Sequence, residues 1–248
     1  MLIDTHCHVH ESSYPFAVED VLSRAKADDV MAIICVGTTV ESSQSAMSLA
    51  HQYDQVYATI GVHPHDTKDG LVGLAQLVPD KKIVAIGEIG LDYFYAHSSR
   101  EVQIAALETQ LQIAVEHSLP VVFHVREAFN DFWPIFDNFP RLHGELHSFT
   151  DSQVSLEAAL TRGLYIGVNG ISTFTKDVSQ QVLYDTIPLD KLLLETDAPF
   201  LTPAPLRGKV NEPAFVKIVA EYHAKRRNLS FDVVADATTT NARALFAL

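Results

Sequence analysis

The sequence has few cysteines and no long apolar run, and each scarcity excludes a class of protein. Only Cys7 and Cys35 occur among its 248 residues, which are too few for a disulfide framework, so reduced thiols and a cytoplasmic location are expected. The chain opens with the apolar segment MLIDTH, without a basic segment or cleavage site, which favours a protein that is not exported. No apolar run approaches the ~20 residues of a membrane span, so we expect no membrane association.

Positive charge is also scarce. Lys and Arg number 18 against 31 Asp and Glu, which gives a net charge of −13. This balance opposes a broad electrostatic grip on nucleic-acid phosphates. Bound divalent metals would nevertheless concentrate positive charge at one point, and Arg126, Arg207 and Lys209 could add to it. Any polyanion is therefore expected to bind locally.

What the sequence does contain is a regular alternation of apolar strand-like runs with helical patterns. The clearest helix covers 98–118, where Ser98 and Glu101 form a capping-box signature ahead of apolar residues at helical spacing. The other helices are predicted over 18–27, 41–53, 127–137, 153–162, 176–185, 213–226 and 231–246. Eight strands are predicted over 2–9, 31–37, 56–62, 83–88, 120–125, 144–149, 164–169 and 191–197.

This alternation predicts parallel strands joined by helices. With 47% apolar residues and no internal linker, the chain is expected to form one domain over 1–248. Eight strand–helix units predict a single (β/α)8 TIM-type barrel, with its active site at the C-terminal ends of the strands. A doubly wound open sheet is the alternative, but it would not readily bring the first and last strands together. No Gly-rich nucleotide-binding loop is present.

Potential metal ligands cluster at the ends of the predicted strands. His6 and His8 are two residues apart, so both side chains project to one face of a strand, which Asp4 shares. Two histidines at this spacing are weak evidence for a metal site when taken alone. A buried Glu88 could instead form an ion pair with a basic residue. The combination of these histidines and carboxylates at several strand ends favours a metal site. Glu195 shares the parity of Asp197, and a supporting role is expected for it. The six candidate ligands are His6, His8, Glu88, His124, His147 and Asp197.

Several motifs extend this pattern over almost the whole chain. They are DTHCH at 4–8, GVHPHD at 61–66, GEIGLDYF at 87–94, LPVVFHVREA at 119–128, HSF at 147–149, ETDAPFL at 195–201, RGKVNEP at 207–213 and NARALF at 241–246. On these residues the sequence resembles the TatD family of metal-dependent deoxyribonucleases, within the amidohydrolase superfamily. Two positions depart from the family pattern: Val210 stands where an arginine is usual, and HSFTDS lacks a common glycine.

The resemblance implies two divalent metal ions bridged by Glu88, with Asp197 nearest the attacking water; these two residues are the candidate catalytic ones. It implies that His6, His8 and Asp197 complete one coordination sphere, and that His124 and His147 hold the other metal. Imidazole-rich ligands suit zinc or manganese, whereas the family is commonly described as magnesium-dependent, so the ion stays open.

The resemblance also implies substrate-binding residues. His63, His65 and Arg126 would line the pocket; for His63 this means contact with a phosphate or leaving group, and for His65 a structural role in the loop is the alternative. Arg207, Lys209 and Asn211, with Glu212, belong to a loop suited to phosphate recognition, the alternative being an ordinary solvated loop.

The function expected from these features is hydrolysis of DNA phosphodiesters, with single-stranded DNA or DNA ends as the substrate and cleavage from the 3′ end. A second interpretation is hydrolysis of an ester or amide, such as deacylation of a misacylated tRNA, because the same metals polarise a carbonyl. A third is a barrel retained as a binding scaffold, which the complete ligand set opposes. The sequence leaves the oligomeric state open.

Overall fold

The computed structural model describes residues 1–248 and contains one eight-stranded sheet whose strand order follows the chain. Parallel register is observed between neighbouring strands, and Cys7 at the end of the first strand forms a parallel bridge with Ala198, beyond the last one. This is the predicted (β/α)8 barrel fold, and the open-sheet alternative is wrong. The strands are β1 (Leu2–Cys7), β2 (Val30–Val36), β3 (Val56–Ile60), β4 (Ile83–Asp92), β5 (Val121–Arg126), β6 (Gly144–Leu146), β7 (Tyr165–Val168) and β8 (Leu192–Leu194).

All eight predicted strands exist, but their C-terminal ends differ from the prediction. β8 stops three residues before Asp197, and β6 stops just before His147, so both side chains belong to loops. β4 continues four residues beyond the predicted end at Glu88, and all ten of its residues are buried. Apolar runs mark the strand centres well, whereas polar residues at the ends obscure where pairing stops.

The predicted helices are present, with an additional short one. Their bounds are α1 (Val18–Ala27), α2 (Val40–Gln52), α3 (Arg100–His117), α4 (Phe129–Asp137), α5 (Gln153–Thr161), α6 (Ile171–Phe174), α7 (Val178–Thr186), α8 (Val216–Arg227) and α9 (Phe231–Phe246). The sequence did not predict α6, which has only four residues. The predicted helix at Pro213 begins as a 3-10 turn, Pro213–Phe215, before α8. None of the helices combines the length and apolar character needed to cross a bilayer.

The capping box predicted for α3 is displaced by one residue. Ser99, not Ser98, is the N-cap, and its hydroxyl accepts a hydrogen bond from the Val102 amide. The Ser98 hydroxyl instead donates to the carbonyl of His65 at 3.0 Å. Ser99 therefore caps the start of α3, and Ser98 holds the loop after β3.

The chain is organised as two compact units. The first comprises residues 1–35 and 147–248, and the second comprises 36–146. In the first unit α9 packs on β1 and β8, and in the second α2 packs on β3 and α3 on β4. The expectation of a single domain over 1–248 stays a prediction.

Candidate metal centre

Three candidate ligands meet in the first unit. The ligand atoms of His6, His8 and Asp197 lie within 4.8 Å of one another. The Nε2 atoms of the two histidines are 3.2 Å apart, and Asp197 Oδ1 is 3.3 Å from His8 Nε2 and 3.9 Å from His6 Nε2. Two imidazoles and a carboxylate converging in this way form a donor set for a divalent cation.

Backbone pairing brings these residues together. The His8 amide donates to the carbonyl of Ala198 at 2.7 Å, and the Asp197 amide donates to the carbonyl of His6 at 2.8 Å. Asp197 has a φ of 59°, a left-handed conformation that residues other than glycine rarely adopt. Backbone strain of this kind is often found at functional sites. Burial raises the pKa of Asp197, but the hydrogen bond to His8 and the nearby histidines outweigh it and lower the pKa.

His147 also belongs to the first unit. Its ring stacks on that of His6 with centroids 3.4 Å apart, and its Nε2 is 4.0 Å from Asp197 Oδ1. Its Nδ1 lies 3.0 Å from Glu195 Oε2, while Glu195 Oε1 accepts a hydrogen bond from the Ser148 amide at 2.8 Å. A buried carboxylate that holds Nδ1 orients the ring and leaves Nε2 for a metal. Glu195 thus lies where a supporting residue is expected.

Asp4, which shares the strand face of His6 and His8, is engaged elsewhere. Its carboxylate accepts hydrogen bonds from the Thr196 amide at 2.8 Å and the Thr196 hydroxyl at 2.6 Å. Burial raises the pKa of Asp4 well above its ordinary value, although the bonds from Thr196 lower it. Asp4 therefore fixes the segment that leads into Asp197.

A second ligand group lies in the second unit, and it includes a residue that the sequence assigned to the substrate. His63, Glu88 and His124 have ligand atoms within 4.8 Å of one another. Glu88 Oε1 is 2.9 Å from His124 Nδ1 and 3.7 Å from His63 Nε2. Burial lowers the pKa of His63 to about 3, against the opposing effect of Glu88. Its imidazole is then neutral near pH 7, which is the form that ligates a metal.

Glycine allows β4 to approach β5 closely at this point. A Cβ added to Gly87 would lie 2.6 Å from the Cβ of Val122, and one added to Gly90 would collide with the carbonyl of His124. The segment around Glu88 therefore has glycine at the two positions where the neighbouring strand approaches its backbone. The close approach sets Glu88 beside His124.

Asp92, the last residue of β4, was not among the site residues predicted from the sequence. It is completely buried, and its Oδ2 lies 2.9 Å from His124 Nε2 and 3.0 Å from His65 Nε2. Burial raises its pKa, but the hydrogen bonds from His124, the Tyr95 backbone and His65 outweigh this and lower it. Parity could have revealed it, because residues 88 and 92 project to the same face of an extended strand.

The pairing with Asp92 affects His124 directly. Burial lowers the pKa of His124, but hydrogen bonds to Asp92 and Glu88 raise it. Both ring nitrogens therefore face carboxylates, and a cation held by His124 would replace one of these contacts while the other oriented the ring. Each group offers two imidazoles and one carboxylate, of which two residues are buried and one is partly exposed, and this donor set fits a divalent metal.

The residues predicted to bind substrate have different environments. His65 is paired with Asp92, and Arg126 is exposed, with its guanidinium carbon 4.1 Å from the ring centroid of Phe94. Arg207 is exposed as well, donates to the carbonyl of Thr202 at 2.8 Å and lies over Phe174.

Lys209 and Asn211 both lie in the loop after β8, but they differ in their exposure to solvent. Lys209 is exposed, whereas Asn211 is completely buried. The Asn211 amide nitrogen donates to the carbonyls of Thr196 at 2.8 Å and Phe200 at 2.5 Å. The Asn211 amide therefore holds the loop together, and the substrate-binding role expected for Asn211 stays a prediction. Glu212 from the same loop pairs with Arg24, its Oε2 lying 2.6 Å from Arg24 Nε.

Comparison with known proteins agrees with this fold. The family model described as TatD related DNase matches residues 3–247. An uncharacterized metal-dependent hydrolase of Bacillus subtilis is 38% identical over 99% of both chains. A Salmonella typhimurium protein named 3′-5′ ssDNA/RNA exonuclease TatD is 36% identical, covering 99% of this chain and 98% of its own. The crystal structure of the TatD homologue YJJV from Escherichia coli superposes with a TM-score of 0.92 at 30% identity, covering 100% of this chain and 98% of that one.

Family, relatives and structural neighbour thus agree over the full length, and the ligand groups suit the metal dependence that the relatives' names state. The chain belongs to the TatD family of metal-dependent hydrolases.

Proposed function

We propose that this hydrolase cleaves DNA phosphodiester bonds, acting from the 3′ end on single-stranded DNA or DNA ends. The observation that carries the proposal is the pair of largely buried imidazole–carboxylate groups at or just beyond strand ends, His6, His8 and Asp197 in one unit and His63, Glu88 and His124 in the other. A 36% identical relative is named a 3′-5′ ssDNA/RNA exonuclease, which supports a nucleic-acid substrate.

In this proposal His6, His8, Glu88, His124, His147 and Asp197 would hold two divalent cations, and Glu88 would serve as a ligand to both. When bound, such cations supply Lewis-acid stabilisation of phosphoryl charge and make water more acidic. The histidine-rich set favours zinc or manganese, and magnesium is the alternative.

The carboxylate of Asp197 acts as the general base. Its lowered pKa keeps it ionised at neutral pH, so an oxygen atom is free to accept a proton. This carboxylate would orient the attacking water, take its proton and pass the proton to the departing sugar oxygen. The left-handed backbone at Asp197 and the amide bond to the His6 carbonyl restrict the direction in which the carboxylate points.

A metal-resolved activity screen tests the proposal. Metal-free protein is reloaded with zinc, manganese or magnesium and given 3′- and 5′-labelled single-stranded oligonucleotides, the matching duplex and an aminoacyl ester. We expect stepwise shortening from the 3′ end of the single strand, lost in Asp197→Asn and retained in Asp236→Asn, a matched change at an exposed position of α9. Turnover of the ester alone, with every metal, would replace the nuclease proposal with ester or amide hydrolysis.

A further inference from the structure

The turn after β4 exposes an unusual concentration of aromatic side chains. It comprises Tyr93, Phe94, Tyr95, Ala96 and His97 and is called the aromatic turn below. Phe94 is 51% exposed and Tyr95 50%, although the two are adjacent in sequence and their rings contact at a centroid distance of 4.8 Å. Single exposed apolar residues are common on protein surfaces, but contiguous exposed aromatic surface marks a binding site more often.

The aromatic turn is held in place at its backbone. Asp92 Oδ1 accepts hydrogen bonds from the amides of Phe94 at 3.0 Å and Tyr95 at 2.9 Å. The Tyr93 amide donates to the carbonyl of Arg126 at 3.0 Å, and the Tyr93 hydroxyl donates to Asp131 at 2.6 Å. The two exposed rings therefore project from a fixed backbone, which lowers the entropy lost when a ligand binds them.

A positive charge lies against the same two rings. The Arg126 guanidinium carbon is 4.1 Å from the Phe94 centroid and 4.8 Å from the Tyr95 centroid. Arg126 is the last residue of β5 and lies opposite Asp92 in the parallel register of β4 and β5. In a chain with a net charge of −13, this exposed cation–aromatic cluster combines a surface for flat ring systems with a charge for anions.

The aromatic turn is connected directly to the ligand group of the second unit. Asp92 holds the turn with Oδ1 and contacts both His124 and His65 with Oδ2. The ring of His65 packs edge-on against Tyr95 at 5.3 Å. One buried carboxylate thus fixes a candidate metal ligand and the exposed aromatic surface, so a ligand on the turn would be placed relative to that group.

Resting on the proposed nuclease function, we propose that the aromatic turn binds nucleobases of single-stranded DNA, with Phe94 and Tyr95 as the stacking surface and Arg126 as a contact for a neighbouring phosphate. Base–aromatic stacking contributes roughly 5- to 150-fold in affinity per base and tolerates any sequence. The faces of bases in a duplex are covered by their neighbours, so the turn would discriminate in favour of single strands.

Truncating the rings tests this assignment. The variants are Phe94→Ala, Tyr95→Ala and the double variant, with Phe94→Trp and Tyr95→Phe as conservative replacements. Phe16→Ala is the matched control, because Phe16 is also exposed (42%) and also has a guanidinium, that of Arg24, 5.5 Å from its ring centroid.

Two measurements keep binding apart from catalysis. Fluorescence anisotropy of metal-free protein follows binding of a labelled single-stranded DNA, the same strand with abasic sites, and the duplex. Steady-state kinetics on the manganese-loaded protein gives kcat and KM for the single strand, and metal analysis confirms that the ligand groups are intact.

We expect each alanine variant to weaken binding of the normal strand roughly 5-fold or more, with a matching rise in KM and little change in kcat or metal content. The abasic strand should bind wild type and variants equally, and the conservative variants should behave as wild type. If the double variant still cleaves the single strand with an unchanged KM, the stacking assignment is overturned and the nuclease function stands. Base-independent binding by a wild type that cleaves no oligonucleotide would overturn both, whereas base-dependent binding without cleavage would preserve the stacking surface and reject the nuclease function.

Discussion

The two ligand groups use the same chemistry but hold it differently. In the first unit, Asp197 stands on a strained loop after β8 and His147 is oriented by Glu195. In the second unit, Glu88 and Asp92 both belong to β4, and His124 on β5 contacts both of them. Each group therefore pairs a histidine with a buried carboxylate, an arrangement that fixes ring orientation. The carboxylate on the loop therefore suits proton transfer, whereas the carboxylates on the strand suit fixed coordination of a metal ion.

The largest effect is expected from Glu88→Ala. This change removes the proposed shared ligand and the carboxylate contacted by His124 at 2.9 Å, so metal content and activity should fall together. Elemental analysis of the purified variant measures the first and oligonucleotide cleavage the second. Two metals retained at wild-type affinity would remove Glu88 from the bridging role.

A somewhat smaller effect is expected from Asp197→Asn, because the amide keeps an oxygen donor but cannot accept the proton. We expect kcat to fall by roughly 10²- to 10⁴-fold, the usual range for a general base, with KM little changed. A near-normal kcat would mean that another group takes the proton, and the proposed difference between loop and strand carboxylates would fail.

The two supporting carboxylates provide a direct test of the comparison. Asp92→Ala and Glu195→Ala should each reduce metal affinity or activity about 10- to 100-fold, as for other carboxylates that orient metal-bound histidines. Asp92→Ala alone should also raise KM for single-stranded DNA, since it removes the oxygen that accepts the amide hydrogen bonds of the aromatic turn. Isothermal titration with manganese and steady-state kinetics measure both properties. Equal KM values in the two variants would contradict the link between Asp92 and the turn.

Val210→Arg should produce a modest gain. It adds a cation to the loop that carries Arg207 and Lys209, and Val210 is partly exposed. A charge-assisted phosphate contact contributes at most about 1.5–3 kcal/mol, and less in water, so we expect KM to fall no more than about 10-fold. The gain should shrink as salt rises. Val178→Arg, at a 70% exposed position of α7, is the control for net charge; an equal gain there would mean that the loop holds no phosphate.

The smallest effect on activity is expected for a buried histidine outside both groups. His223 bonds to Ser172 Oγ at 3.0 Å, and burial lowers its pKa from 6.5 to about 3. Folding favours the neutral form of His223. The contribution of this residue to the free energy of unfolding is therefore complete above pH 6.5 and is lost as the pH falls toward 3. When the pH is lowered from 7.5 to 5, the free energy of unfolding measured with urea should fall by about 2 kcal/mol more in wild type than in His223→Gln. Identical pH profiles of unfolding would show that His223 does not titrate in this way.

The sequence by itself determined the strand–helix alternation, the fold class and the strand ends at which chemistry is concentrated. These features follow from local patterns: apolar runs mark buried strands, and the HxH spacing in β1 fixes a shared face. The same patterns located His6, His8, Glu88 and His124, because each is a polar residue within an otherwise apolar run.

Only the tertiary structure decided which side chains contact one another. It brought His63 to Glu88, gave Asp92 two histidine partners, and buried the Asn211 amide against backbone carbonyls. The partners of Asp92 lie 27 and 32 residues away in sequence, and no periodicity relates residues so far apart. The physical reason is that hydrogen bonding and burial depend on which strand ends and loops become neighbours, and that is settled only when the sheet forms.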